Sequence, residues 1–216
     1  MAKRQIVGVV SQKGGVGKST LCQLIAREAA AGGKQAKILD FDTKQMTSTE
    51  WVRARLERDV EPTVQAEPVR NIDKALKQNR GYDIVVLDGA PGTPKRTAEM
   101  VEACDLIVLP TGSSRADLIP SLALARSIVT MHLKADGPVF ALCRVMTDKE
   151  ASEARATIAN AGFETIDGEL IERPGYRLAQ DLGRSPTETT FPSLNEKARR
   201  LAHGILARLR WGWARE

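Results

Sequence analysis

The residue types best suited to chemistry fall in one string of ten, Ser11-Gln12-Lys13-Gly14-Gly15-Val16-Gly17-Lys18-Ser19-Thr20. Glycines 14, 15 and 17 allow the backbone to curl until successive N–H groups face one anion, and a helix opening at the end of the string adds its positive pole. That arrangement cradles the phosphates of a nucleotide. Lys18 then neutralises the β- and γ-phosphates, and the Ser19 hydroxyl holds Mg²⁺. Carboxylates stand at two further places, the turn Asp40-Phe41-Asp42 and the end of the run Ile84-Val85-Val86-Leu87-Asp88. An acidic side chain closing a buried strand reaches the carboxyl edge of a parallel sheet, where it can hold a water of a Mg²⁺ shell.

These groups meet only if the elements around them fold as alternating strands and helices. The run Ile6 to Val10 is short and almost wholly apolar, as in a parallel strand covered on both faces. Leu21, Leu24, Ile25 and Ala29 recur at helical spacing, and Gly32-Gly33 stops them. Residues 36–39 form the next strand, which a right-handed crossover delivers to the same edge as the glycine-rich loop. Thr43 to Glu50 is polar and lacks apolar periodicity, as a switch loop does, before Trp51, Val52 and Leu56 resume a helix. Pro62 to Ala66 reads as a short strand, and Ile72, Ala75 and Leu76 mark a helix.

Further strands are predicted over 84–88, 106–109, 139–143 and 163–166, with helical stretches at Leu118 to Val129 and Ala151 to Asn160. The string Ser193-Leu194-Asn195-Glu196 has the form of a capping box. It opens a last helix whose apolar stripe is Leu194, Ala198, Leu201, Ile205 and Leu209. The alternation predicts a doubly wound, mainly parallel α/β sheet flanked by helices, in a single domain over residues 1–216.

The loop departs from the ordinary phosphate-loop pattern. A glycine is expected at position 12, where the chain has Gln12, and an extra lysine, Lys13, follows it. The string Lys13 to Ser19 resembles the deviant Walker A motif of the ParA/MinD family of P-loop ATPases. Supporting strings are Leu39-Asp40-Phe41-Asp42 with Gln45, Met46 and Trp51, then Val86-Leu87-Asp88-Gly89-Ala90 and Ile171-Glu172-Arg173-Pro174-Gly175-Tyr176. Over nearly its whole length the chain is similar to the short, ParF-like plasmid partition proteins of that family.

The resemblance implies an Mg²⁺-dependent ATPase that pairs as a nucleotide-sandwich homodimer. Lys13 would reach the partner's phosphates, so that assembly supplies a second cation to the charge of phosphoryl transfer. Asp42 would orient the attacking water, and Ser19, Asp40 and Asp88 would manage the metal. Gly14, Gly15, Val16, Gly17, Lys18 and Thr20 would complete the phosphate contacts, and Arg144 would stack on adenine. The chain reads Asp42-Thr43-Lys44-Gln45 where the family usually has Asp-Pro-Gln, so the loop carrying the water-orienting carboxylate differs.

The chain has 216 residues, of which 42% are hydrophobic and only 4% aromatic, so the core must be built mainly from aliphatic side chains. Its net charge of +5 suits a polyanionic partner without identifying one. The family resemblance implies non-specific duplex DNA, contacted through Arg199, Arg200, Arg208 and Arg210 of the last helix, a centromere-binding adaptor of ParB-like or ribbon-helix-helix type, and a cytoplasmic, nucleoid-associated location. A MinD-like alternative has Leu201 to Trp213 docking on anionic lipid as an amphipathic helix. Against it, the stripe starts at Leu194, which places its apolar face on the protein's own sheet. Cys22, Cys104 and Cys143 are far apart among apolar neighbours, as reduced core residues are, and lack the close pairing of an iron–sulfur carrier. No stretch approaches the roughly 20 apolar residues of a membrane span.

Overall fold

The computed structural model describes residues 4–89, 94–131 and 137–209. Its strands are β1 (Gln5–Val9), β2 (Ala36–Asp40), β3 (Gln65–Pro68), β4 (Ile84–Asp88), β5 (Leu106–Thr111), β6 (Val139–Val145) and β7 (Glu164–Ile171). They form one parallel sheet in the order β3-β2-β4-β1-β5-β6-β7. The helices are α1 (Lys18–Ala31), α2 (Thr47–Leu56), α3 (Ile72–Gln78), α4 (Pro94–Ala103), α5 (Arg115–Thr130), α6 (Asp148–Asn160), α7 (Pro174–Asp181) and α8 (Pro192–Leu206).

Successive residues of a strand face opposite sides of the sheet, and the two cores follow that alternation. Val7 and Val9 pack with Leu21, Leu24, Trp51, Tyr176 and Leu201, so α1, α2, α7 and α8 cover one face. Ile6 and Val10 pack with Ile72, Val101, Leu118 and Ile158, so α3, α4, α5 and α6 cover the other. All residues of β1, β2 and β4 are buried as a result, which explains why they are mostly apolar, with Gln5, Lys37, Asp40 and Asp88 the buried polar exceptions. The chain leaves β1 toward β2 on one side of the sheet and leaves β5 toward β6 on the other. Loops at the carboxyl ends of these neighbouring strands therefore diverge and open a crevice.

Several elements extend beyond the sequence expectation. α1 begins at Lys18 rather than Leu21, and α2 begins at Thr47, inside the stretch read as a switch loop. β7 runs to Ile171, and α4 and α7 are additional helices. At Gly168 of β7, φ is +87°, and a Cβ there would stand 2.6 Å from the Leu201 backbone nitrogen. Glycine alone gives α8 that approach to the strand.

The capping box is corrected by the structure. α8 starts two residues earlier, with Phe191 at the N-cap position and Pro192 in the first turn, so Ser193 lies inside the helix and there is no side-chain cap. Asn195 takes over the local tie, with its Oδ1 accepting from the Thr189 backbone N–H at 3.0 Å and from the Thr189 hydroxyl.

Candidate functional site

The glycine-rich string joins β1 to α1 at the crevice. Gly17 is the N-cap of α1 in the left-handed region, φ +100°, and a Cβ on it would press against Cys143 Cβ at 3.3 Å. A residue with a side chain would be strained twice over, in its torsion and by this close approach to β6. Lys18 is buried, and its Nζ donates to the Lys13 carbonyl at 2.9 Å, so the cation is folded back over the loop. Burial lowers its pKa, while the charge of Asp88 works in the opposite direction.

A cavity of about 390 Å³ opens beside the loop. Gly15, Lys18, Ser19, Thr20, Asp42 and Asp88 line its phosphate side. Arg144 and residues of α7, namely Tyr176, Arg177 and Gln180, line the other side. Arg144 has φ +58°, and its guanidinium bridges the Gly15 carbonyl and the Glu172 carboxylate, each at 2.9 Å. It thereby ties the phosphate loop to the end of β7. Gln180 donates to Thr20 Oγ1 at 3.0 Å and to Gln23 Oε1 at 2.7 Å, which joins α7 to α1.

Asp88 ends β4 with 3% of its surface exposed, and its Oδ2 accepts from the Ser48 hydroxyl at 2.7 Å. Burial pushes its carboxyl up to about 6; hydrogen bonds from Ser48 and Ser19 oppose that rise, and the charge of Asp40 adds to it. The Ser19 hydroxyl and a carboxylate beside a buried lysine form an all-oxygen donor set of the kind a hard divalent cation takes, with Lys18 and the loop N–H groups left for an anion. These residues fit Mg²⁺ and a nucleotide triphosphate.

Asp40 is placed differently from the expectation of a metal contact. It is fully buried and does not line the cavity; its Oδ1 accepts from Asp42 N–H and its Oδ2 from the Ser48 and Thr49 backbones and the Thr49 hydroxyl. Its carboxylate therefore caps α2. Burial raises its pKa, opposed by the hydrogen bonds from Thr49, Asp42 and Ser48. Asp42 does reach the cavity, and its Oδ1 accepts from the N–H groups of Lys44 and Gln45, at 3.2 and 3.1 Å, which fixes the turn at the Thr43-Lys44 departure.

Lys13 turns away from this cavity. Its ammonium pairs with the Asp117 carboxylate at the start of α5 and lines a neighbouring hollow of about 480 Å³ with Ser113, Ser114 and Met146. Val16 is buried under the loop, and Gly14 has open space around it.

The last-helix arginines are paired. Arg199 bonds Glu196 at 2.9 Å, Arg200 bonds Asp167 at 2.7 Å and Arg208 pairs with Glu164. Arg210 and Trp213 lie outside the described residues. Leu201, Ile205, Leu206 and Leu209 are buried in the protein's own core, so this apolar face is already covered.

Sequence reasoning missed Ser48, Asp117 and the α7 wall of the cavity. Ser48 sits in a polar run with no period to mark it. Asp117 is the third residue of an ordinary capped helix, Ser114 being its N-cap.

Comparison with known proteins finds similar chains. The family model described as ParA, NUBPL iron-transfer P-loop NTPase, matches residues 2–79. The chain is 26% identical to the chromosome-partitioning ATPase Soj of Thermus thermophilus, over 96% of this chain and 98% of Soj. Its fold superposes with a TM-score of 0.76 on a plasmid partition protein of Borrelia burgdorferi bound to AMPPNP, covering 96% of this chain and all of that one at 14% identity. The Pyrococcus furiosus cell division ATPase MinD gives 0.75 at 14% identity, covering 95% and 99%. Together with the glycine-rich loop and the strand order, these likenesses make the chain similar to ParA/MinD-type P-loop NTPases, with the partition proteins Soj and ParA among the similar proteins.

Proposed function

We propose that the chain is an Mg²⁺-dependent partition ATPase in which ATP binding drives sandwich dimerisation and non-specific DNA binding, and partner-stimulated hydrolysis resets the cycle to segregate plasmid or chromosomal DNA. One observation carries the reading: the two loop lysines diverge, Lys18 folded over its own loop and Lys13 pointing out toward α5, outside the cavity that its own loop lines. A lysine turned outward from its own phosphate site is available to a second protomer's. The AMPPNP bound to the Borrelia partition protein supports a nucleotide ligand here.

In this mechanism the loop N–H groups and Lys18 would hold the β- and γ-phosphates, and Ser19 and Asp88 would hold a Mg²⁺ ion, which would supply positive charge to the phosphate oxygens. Asp40 fixes the turn that carries Asp42, and Asp42 accepts a hydrogen bond from the attacking water. Lys13 from the opposite protomer adds the second cation, so turnover waits on assembly. Arg144, at the far wall of the cavity, would stack on the base. The centromere-binding adaptor would act on this dimer, and DNA contact would hold it at the nucleoid in the cytoplasm.

Burial of Leu201, Ile205, Leu206 and Leu209 disfavours lipid docking by the last helix, and no helix among the described residues is long and apolar enough to cross a membrane. The three cysteines are each buried, and burial pushes the Cys143 thiol up to about 12, which favours a switch over an iron carrier.

The test is co-sedimentation with duplex DNA of arbitrary sequence and with anionic vesicles, each with ADP and with AMPPNP, beside light scattering of the free protein. The reading expects a dimer and DNA retention with AMPPNP only. A monomer under all conditions, or retention on vesicles instead of DNA, would overturn it.

A further inference from the structure

Asp40 and Asp88 are register partners on the neighbouring strands β2 and β4. Parallel strands lie about 4.8 Å apart, so two carboxylates that water barely reaches, at 0% and 3% exposure, stand side by side at the sheet edge. Ser48, itself fully buried in the first turn of α2, lies against both. Its backbone N–H donates to Asp40 Oδ2 at 3.1 Å and its hydroxyl to Asp88 Oδ2 at 2.7 Å.

We infer that Ser48 is a positioning residue for the metal-facing carboxylate of Asp88; the inference rests on the nucleotide-hydrolysing reading above. The two acids are separated in role by what bonds them. Asp40 has both oxygens occupied by four donors and sits at the positive end of α2, so its charge belongs to the helix. Asp88 receives the hydroxyls of Ser48 and Ser19, lies beside the buried Cys22 thiol and faces the cavity. The Ser48 hydroxyl on Oδ2 restrains the rotation of this carboxylate. Because the same residue's N–H is fixed on Asp40, that hydroxyl is anchored by the whole first turn of α2, and Asp88 is held in register with the turn carrying Asp42. An outer partner of this kind orients a ligand group without touching the metal.

Ser48→Ala removes one oxygen, leaves the backbone bond to Asp40 in place and tests the assignment. Binding of a fluorescent ATP analogue is measured in EDTA and across an Mg²⁺ titration. The expected result is unchanged affinity in EDTA and about a tenfold rise in the Mg²⁺ concentration giving half-maximal effect, the size seen when an outer partner of a metal ligand is lost. At saturating Mg²⁺ the KM for ATP stays at the wild-type value. An unchanged Mg²⁺ midpoint overturns the inference, and so does an equal loss of affinity in EDTA and in Mg²⁺, which marks a residue that only supports the fold. Failure of the wild-type protein to bind the analogue more tightly with Mg²⁺ would instead sink the ATPase reading.

Discussion

The ammonium of Lys13 is paired with the carboxylate of Asp117, the third residue of α5, across the mouth of the crevice. Desolvation raises the Asp117 pKa, yet hydrogen bonds from Lys13 and Ser114 outweigh it and hold the carboxyl below its usual range. Under the dimer mechanism this pair has to open before Lys13 can reach a second protomer. The lysine side chain is 42% exposed, so solvent screens the pair and breaking it costs under about 1 kcal/mol. Lys13→Ala should retain ATP binding and lose ATP-dependent dimerisation, read by light scattering. Asp117→Asn should leave dimerisation intact and tighten it by up to about fivefold. A Lys13→Ala protein that dimerises normally would remove the lysine from the mechanism.

The proposed mechanism gives Asp42 a role in turnover separate from its bond to its own turn. Asp42→Asn keeps an oxygen for the Lys44 and Gln45 N–H groups and so preserves the loop, but its amide is a poor proton acceptor for water. Nucleotide binding should be unchanged and kcat should fall about 10²-fold or more, leaving an ATP-bound dimer that accumulates. Steady-state phosphate release alongside analogue binding checks both halves.

Asp88 predicts a pH dependence. Its carboxyl is raised from 3.8 to about 6, so in the absence of ligands the folded state holds a proton that the unfolded chain has released between those values. Stability from this group is therefore fully present below about 4, declines as pH rises to about 6 and is level above. Metal binding runs the other way, because it needs the ionised form. Mg²⁺-linked nucleotide affinity should drop below pH 6, with a midpoint that moves lower as Mg²⁺ is raised, and Asp88→Asn should abolish the dependence.

How much of this was readable in advance follows the range of the interactions. The phosphate loop and the Asp88 strand end are local patterns, a turn with a helix start and an apolar run with a carboxylate, and both lie where expected. The start of α2 was not readable, because its cap is Asp40, outside the helix on a neighbouring strand, and because Ser48 directs its hydroxyl to Asp88 rather than to its own turn. No helix is predicted around Pro174-Gly175-Tyr176; α7 is held there because Tyr176 donates to the Leu194 carbonyl and Gln180 bonds Thr20 and Gln23, contacts far apart in the chain. The capping-box string failed since Pro192 starts α8 two residues sooner. The basic face of α8 was evident as composition, but its pairing with Asp167 and Glu164 on β7 depends on the packing of helix on strand.

That same dependence on long-range contacts makes Arg55 the residue to probe for stability. It is fully buried, with Nη1 and Nη2 on the two Glu188 oxygens at 2.7 and 2.9 Å, Nε on the Pro62 carbonyl at 2.9 Å and a further bond to the Gly183 carbonyl. Burial alone would raise the Glu188 pKa, but the Arg55 bonds, a Ser185 N–H and the charge of Arg27 bring it below its usual 4.5. A depressed carboxyl contributes stability that is present above 4.5 and is lost as pH falls through the lower folded value. Glu188→Gln leaves the guanidinium buried without a counter-charge and should cost about 3–5 kcal/mol near neutral pH, measured by urea denaturation. Replacing both partners, Arg55→Met with Glu188→Leu, removes the stranded charge and should cost less than the single change. The difference between wild type and Glu188→Gln should narrow in acid, as Glu188 itself becomes neutral. A single variant within about 1 kcal/mol of wild type at neutral pH would show that the Pro62 and Gly183 carbonyls satisfy the guanidinium without the pair.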